Sequence, residues 1–323
     1  YALETAPQDL GSSSEWFAEW KWDGIRGQVI VRGGQCFVWS RGEELVSNTF
    51  PEFQKFSSDI PDGTVIDGEI LVWQNEAPLS FNFLQKRIGR KTVPKALLQS
   101  APVILYAYDI LEWRGKDVRD SSFTYRRALL EKLCANTPLT QPLRMSPSVS
   151  FQDWSELASL RAEARDHSAE GLMLKNRNSF YQAGRKKGSW WKWKLDPLTV
   201  DAVMIYAQPG HGRRANLYTD FTFAVWSESE LVPFTKAYSG LTDAEFRQIT
   251  NWVRKNTLQR FGPVRQVTPH HVFEIAFEGI HNSPRHKSGV ALRFPRMARW
   301  RKDKKAQEAN SLDDLKDILK NYG

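Results

Sequence analysis

Lys21 stands in Glu19-Trp20-Lys21-Trp22-Asp23-Gly24-Ile25-Arg26, a stretch whose side chains suit covalent attachment of a nucleotide. An amine that attacks phosphorus makes a P–N bond, which keeps the nucleotide reactive enough to be passed on. The obstacle is protonation, because a free lysine titrates near ~10.4 and only its neutral form attacks. Neighbouring cations or desolvation lower that value, so further lysines or a metal are expected beside Lys21. Taken alone, the octapeptide reads equally well as an amphipathic strand, with Trp20 and Trp22 on one face and Lys21 and Asp23 on the other.

Three later stretches could supply the missing parts. Asp67-Gly68-Glu69 interrupts a β-rich run over 64–73, and a carboxylate in an otherwise buried strand needs a partner such as a sugar hydroxyl or a metal. It is equally readable as a satisfied surface glutamate. Glu170-Gly171 precedes the apolar run 172–174 in the same manner, and the glycine lets backbone approach a ligand closely. Together the two carboxylates and the candidate nucleophile resemble a metal-assisted phosphate site. In Trp191-Lys192-Trp193-Lys194 a period of two puts both lysines on one face of a strand. Such a face would neutralise a triphosphate and depress the amine pKa of Lys21; the alternative is a solvated basic edge.

The elements that must position these residues follow from pattern. Segments 28–31 and 36–40 alternate around Gly33-Gly34 as a hairpin, 64–73 and 103–111 read as strands, and Pro61-Asp62-Gly63 as a turn. Tyr108, in the second strand, could lie against a nucleobase or in the core. Helices are expected over 80–91, over 123–135, and from a capping box at Ser150 to Asp153 through Leu160. From 200 to about 295 the chain is short β-runs with one capped helix opening at Thr242, whose inner face is Phe246, Ile249 and Trp252, and a last capped helix spans 311–322.

At 323 residues there is room for two domains with substantial cores. A net charge of +8 and thirteen tryptophans, several set among lysines and arginines, favour a polyanionic partner without fixing the fold. Cys36 and Cys134 have no nearby thiol partner, so neither a zinc site nor a disulfide framework is expected, and a reducing cytosolic setting is. No apolar run approaches the ~20 residues of a membrane span, and the polar opening is not a signal peptide. The start at Tyr1, so close to Lys21, reads as a piece of something longer.

In order and content, Lys21-Trp-Asp-Gly-Ile-Arg26, Ser40-Arg41, Asp67-Gly-Glu69, Tyr106-Ala-Tyr108-Asp109, Glu170-Gly-Leu-Met-Leu-Lys175 and Trp191-Lys192-Trp-Lys194 resemble the ordered motifs of ATP-dependent DNA ligases. These belong to the covalent nucleotidyltransferases, which also include RNA ligases and mRNA capping enzymes. Arg301-Lys-Asp303-Lys304 is similar to the last ligase motif. The resemblance implies an α+β fold: a nucleotidyltransferase domain over 1–197, with ATP-grasp-like antiparallel sheets and helices, followed over 198–323 by an all-β OB-fold domain with a C-terminal helix. Independently of family, a basic and aromatic small barrel is a common nucleic-acid binder.

By that resemblance Lys21 takes AMP from ATP. Glu19 sits at the adenine edge, Arg26 and Arg41 near ribose and phosphates, and Tyr108 stacks on adenine. Glu69 meets the ribose and, with Glu170, a divalent metal, Mg²⁺ or Mn²⁺. Lys192 and Lys194 hold phosphates, while Arg301, Asp303 and Lys304 orient pyrophosphate once the OB domain closes. Many ligases carry an arginine just before the tryptophan-lysine strand, where this chain has Arg185, Lys186 and Lys187. The implied activity is sealing of nicks in duplex DNA, in repair, replication or recombination, by a monomer with an additional DNA-binding domain in the full-length chain. The implied setting is cytoplasmic, nucleoid-associated in a bacterium, with no membrane. ATP is expected rather than NAD, since two cysteines cannot make the zinc site of NAD-dependent ligases. The alternatives are the same chemistry on RNA ends or caps, and an idle nucleic-acid-binding OB module.

Overall fold

A computed structural model describes residues 1–138, 140–184 and 186–323. They divide into two compact units, Tyr1–Leu195 and Asp196–Gly323.

The first unit holds two sheets. In one, Trp16–Trp22 lies between Ser148–Val149 and Ala169–Asn176, and Trp190–Lys194 pairs on the far side of Ala169–Asn176, all antiparallel. The chain leaves this sheet at Trp22 and enters the second with Ile25–Arg32, so the lysine motif straddles both. A Cβ on Gly24, at the crossing, would stand 2.4 Å from the carbonyl oxygen of Ile70; only a glycine lets the two backbones approach so closely.

The second sheet runs Gln35–Ser40, Ile25–Arg32, Thr64–Gln74, Val103–Trp113, and Leu143–Met145 joins Val103–Trp113 in parallel. Alternating β-branched residues, among them Val29, Val31, Val38, Ile66 and Ile70, bury one face against Phe50, Phe53 and Phe56, the pattern of a half-buried strand. Trp16, Trp20 and Trp22 face a separate apolar cluster with Tyr106, Trp154 and Leu172. Helix Phe123–Ala135 opens on Ser122, whose hydroxyl accepts from the Tyr125 N–H, and carries two inward arginines.

Two expected helices differ. Over 80–91 only Phe81–Gln85 is helical: Arg87 turns inward, its guanidinium donating to Glu52 and to the carbonyls of Thr49 and Ala101, while Ile88 is exposed. Helix Trp154–Ala162 is capped by Asp153, which accepts from the N–H groups of Ser155 and Glu156, and not by Ser150. An aspartate directly before the first turn satisfies two orphan donors that Ser150 is too far away to reach.

The second unit is a curled antiparallel sheet built on Leu198–Pro209. That strand pairs along one side with Tyr218–Ser227, and along the other with Val272–Phe277 and then Val264–Val267. Phe221, Phe223, Phe234, Phe246 and Phe273 fill the curl. Helix Asp243–Lys255 is fixed by reciprocal bonds between Thr242 and Glu245, and Leu312–Tyr322 by Ser311 and Asp314, the capping box at both N-termini. Among the described residues no helix is long and apolar enough to cross a membrane.

Candidate active site

Pairing between Trp16–Trp22 and Ala169–Asn176 slips between Trp20, opposite Leu172, and Trp22, opposite Ala169. Lys21 therefore faces both Glu170 and Gly171, and a bulge of this kind re-aims a side chain out of the regular ladder. Its ammonium donates to Glu170 Oε2. The Lys194 ammonium lies 3.5 Å from the same oxygen. Lys192, opposite Met173, and Lys194, opposite Gly171, project from one face while Trp191 and Trp193 pack on the apolar cluster. Burial lowers the pKa of Lys192, and the charges of Lys21, Arg41 and Lys194 lower it further. Both late lysines thus converge on Lys21.

Gly171 makes this convergence possible. Its φ is +138°, and a Cβ there would meet the Trp193 carbonyl oxygen at 2.4 Å, so a side chain would push the lysine-bearing strand away.

The second sheet supplies the opposite wall. Glu69 pairs with Arg26 in register, and burial pushes its carboxyl up to about 8, with Lys21 pulling it back. Asp67, almost wholly buried, receives Arg26 Nε at 2.9 Å and Nη2 at 2.6 Å, the Tyr181 hydroxyl at 3.0 Å and the Tyr108 hydroxyl at 3.3 Å. Arg26 also donates to the Tyr181 oxygen at 2.6 Å. Arg26 is thus held by a planar two-point grip. Arg26 and Arg41 line a cleft of about 500 Å³ with Trp39, Arg119 and Tyr181; Lys21 and Glu170 lie outside that lining.

Glu19 is fully engaged within the protein. Its two oxygens receive Arg127 Nη1 at 2.6 Å and Lys175 Nζ at 2.5 Å, and all three side chains are buried. Lys175 is boxed by Tyr108, Phe123 and Trp190, its nitrogen 4.3 to 5.1 Å from their ring centres, where ring faces attract a cation. The sequence reading gave no role to Asp67, Tyr181, Arg127 or Lys175. Asp67 left a trace as a carboxylate interrupting a buried strand, and Lys175 as a charge ending an apolar one; arginines on a helix and a tyrosine in a loop carry no such spacing.

In the second unit Arg301 donates to Asp303 and, at 2.8 Å, to Asp201, which also receives Lys304 Nζ at 2.6 Å. Arg185, a candidate for the arginine before the lysine strand, falls outside the described residues.

Comparison with known proteins decides the family. The model of the ATP dependent DNA ligase domain matches residues 4–194, and that of the ATP dependent DNA ligase C terminal region matches residues 214–304. The chain belongs to the ATP-dependent DNA ligase family. It is 36% identical over 337 residues to a probable DNA ligase of Koribacter versatilis, an alignment covering 96% of this chain and 58% of that protein. The chain spans about half the length of several curated DNA ligases that it matches. A solved Lig E DNA ligase is alike in fold, with TM-score 0.65 at 20% identity over 93% of this chain and 98% of that one. A mycobacterial DNA ligase D solved with ATP and MES gives 0.50 at 24%, over 93% of each chain. The two units are accordingly the nucleotidyltransferase and OB-fold halves of a ligase core.

Proposed function

We propose that this ligase-family chain seals nicks in duplex DNA, with Lys21 as the residue that carries AMP. The observation supporting it most is the meeting of Lys21, Glu170 and Lys194 at one carboxylate oxygen. Lys21 Nζ gives up a proton, for which Glu170 Oε2 is its acceptor in this structure, and attacks the α-phosphorus of ATP. The P–N bond forms, the bond to the β-phosphate oxygen breaks, and pyrophosphate leaves with the electron pair. Charge builds on that leaving group, where Lys192 and Lys194 stabilise it. Arg26 and Arg41 hold ribose and phosphates, and Tyr108 forms the adenine side, braced from within by the Glu19 carboxylate through Lys175. A 5′-phosphate then takes the AMP from Lys21, and the 3′-hydroxyl attacks that activated phosphate and expels AMP.

A divalent cation fits this site in one way. Among the described residues no group of three or more His, Cys, Asp or Glu is placed to hold a metal ion, which rules out an all-protein cage there. Mg²⁺ is commonly held by one or two carboxylates together with substrate phosphates, and Glu69 and Glu170 are the pair that would do so. The ion would neutralise phosphate charge. Because its carboxyl is pushed up to about 8, Glu69 would release its proton on taking up that role.

The test is incubation with α-labelled ATP and Mg²⁺, then addition of nicked DNA or nicked RNA. Label on denatured wild type that survives alkali and is released by acid, as a P–N bond requires, none on Lys21→Ala, and transfer of label to the 5′ end at a DNA nick are expected. Label persisting on Lys21→Ala would overturn the assignment, and faster transfer to RNA ends, or preference for GTP, would move the reading to the RNA branch.

A further inference from the structure

Thr257–Phe261 closes one edge of the second unit's sheet, where among the described residues it pairs with Val264–Val267 alone. The two strands join through Gly262-Pro263, with Phe261 opposite Val264 and Gly262 at φ +57°, the tight two-residue loop of a hairpin. Its base is fixed to the end of helix Asp243–Lys255. The Thr257 hydroxyl donates to the Val253 carbonyl at 2.7 Å, and the Thr268 N–H to the Asn256 carbonyl at 3.1 Å.

On this hairpin Arg260 stands directly opposite Arg265. Side chains so placed are ~5 Å apart at Cβ, where like charges destabilise the sheet. From Phe246 to Phe273 the chain has no Asp or Glu, while it carries Arg247, Arg254, Lys255, Arg260 and Arg265. Among the described residues neither opposed arginine is in an ion pair. Arg265 is held instead by backbone, its Nη1 donating to the carbonyls of Gly262 at 2.6 Å and Val264 at 3.2 Å. That leaves N–H groups of its five to donate elsewhere. Leu258 and Phe261 are exposed on the same edge, at 62% and 49%.

Guarding an edge against unwanted pairing takes a single charge or a proline, which explains neither two opposed arginines nor two exposed apolar side chains. A second copy of the chain paired along this edge would add its own arginines to the seam. A polyanion removes the repulsion, and a guanidinium meets a phosphate at two points.

We propose that the hairpin over 257–267 grips the backbone of duplex nucleic acid, with Arg260 and Arg265 on phosphates and Leu258 and Phe261 against the sugars beside them. The assignment rests on the ligase reading above, which makes a nicked duplex the substrate, and it gives the second unit a contact that needs no nucleotide. Phosphate contacts fix position and carry no sequence information, so the grip serves any duplex.

The test is binding of the full chain to a fluorescently labelled nicked duplex over a range of KCl. Arg260→Gln, Arg265→Gln and the double variant are compared with wild type and with Lys320→Gln, an exposed cation on the last helix. Since each phosphate contact releases ~0.9 counterion, each hairpin arginine lost should lower the log–log salt slope by about 1 and the affinity by roughly 8-fold at ~0.1 M KCl. Phe261→Ser should weaken binding and leave the slope unchanged. Arg260→Gln should unfold in urea at the wild-type midpoint or above it, because the repulsion is gone, and should take label from α-labelled ATP at the wild-type rate. An unchanged slope, an equal loss in Lys320→Gln, or a lowered midpoint for Arg260→Gln each overturn the grip. So does a wild-type dimer that is lost in Arg260→Gln, which would give the edge to a second copy. In all these cases label on wild-type Lys21 leaves the ligase reading standing. Wild-type chain that takes no label overturns that reading, and the salt slope still decides the hairpin.

Discussion

Glu19 shows how much one buried charge controls. Its carboxylate is shared by Arg127 and Lys175, whose side chains are only 5% and 2% exposed. Removing one partner of such a set leaves charge uncompensated in a place water does not reach, at a cost of ~3–5 kcal/mol. Glu19→Gln should lower the unfolding free energy of the first unit, read from urea titration, by that amount, and Glu19→Gln with Lys175→Met should recover part of it; an unchanged midpoint would mean that water reaches the cations. His271 makes a second residue-scale case. Burial, then the charges of His270 and Lys302, depress its pKa to about 4, below the ~6.5 of an unfolded histidine. The unfolded chain therefore binds the proton more readily, so the contribution is complete above ~6.5 and is lost as pH falls through about 4. Because the ring is partly exposed, the loss is on the order of 1–2 kcal/mol once solvent screening is allowed for. Urea unfolding at pH 7 and at pH 4 should show that difference in wild type and less of it in His271→Gln; equal slopes with pH would remove His271 as the cause.

Among elements, Ala169–Asn176 matters most, because it borders both the lysine strand and the Trp190–Lys194 strand. Gly171→Ala must either flip a φ of +138° or displace the Trp193 carbonyl, 2.4 Å from the added carbon, at ~1–3 kcal/mol. It should cut lysyl-AMP formation by more than ~10-fold while near-ultraviolet dichroism stays native, and wild-type rates in the variant would show that the late lysines need not be so placed. Near-continuous apolar, β-rich runs made Val103–Trp113 and Thr64–Gln74 legible in the sequence, and capping signals did the same for helices at Thr242 and Ser311, since a buried strand and a helix end impose local rules. The bulge at Lys21 was not legible, because a register slip depends on two strands distant in sequence. Nor was the true shape of 80–91, where Arg87 turns into the core and pairs with the half-buried Glu52 in place of continuing a helix. Of the site, the sequence exposed side chains that stand in odd company, such as a lysine between tryptophans. Asp67 showed as a carboxylate in a buried strand, but its three hydroxyl or guanidinium partners, drawn from three separate segments, have no one-dimensional signature.

At the scale of the molecule, the excess of +8 is carried partly by cations that line open clefts, Arg26 and Arg41 in one unit and Lys302 and Lys305 in the other. If the substrate is duplex DNA, each phosphate met by such a cation releases a condensed counterion, and affinity falls linearly in log–log form with salt. Six or more such contacts would cost joining ~1,000-fold between about 50 and about 200 mM KCl at subsaturating DNA. Lysyl-AMP formation should respond less, because Lys21, Glu170 and Lys194 interact within 3.5 Å and are partly buried, where added ions screen more weakly. Measuring both rates on one preparation across that range separates the two kinds of electrostatics. Parallel slopes would place the salt-sensitive event in nucleotide chemistry, and flat joining would argue that the backbone of the nucleic acid is not what these clefts hold.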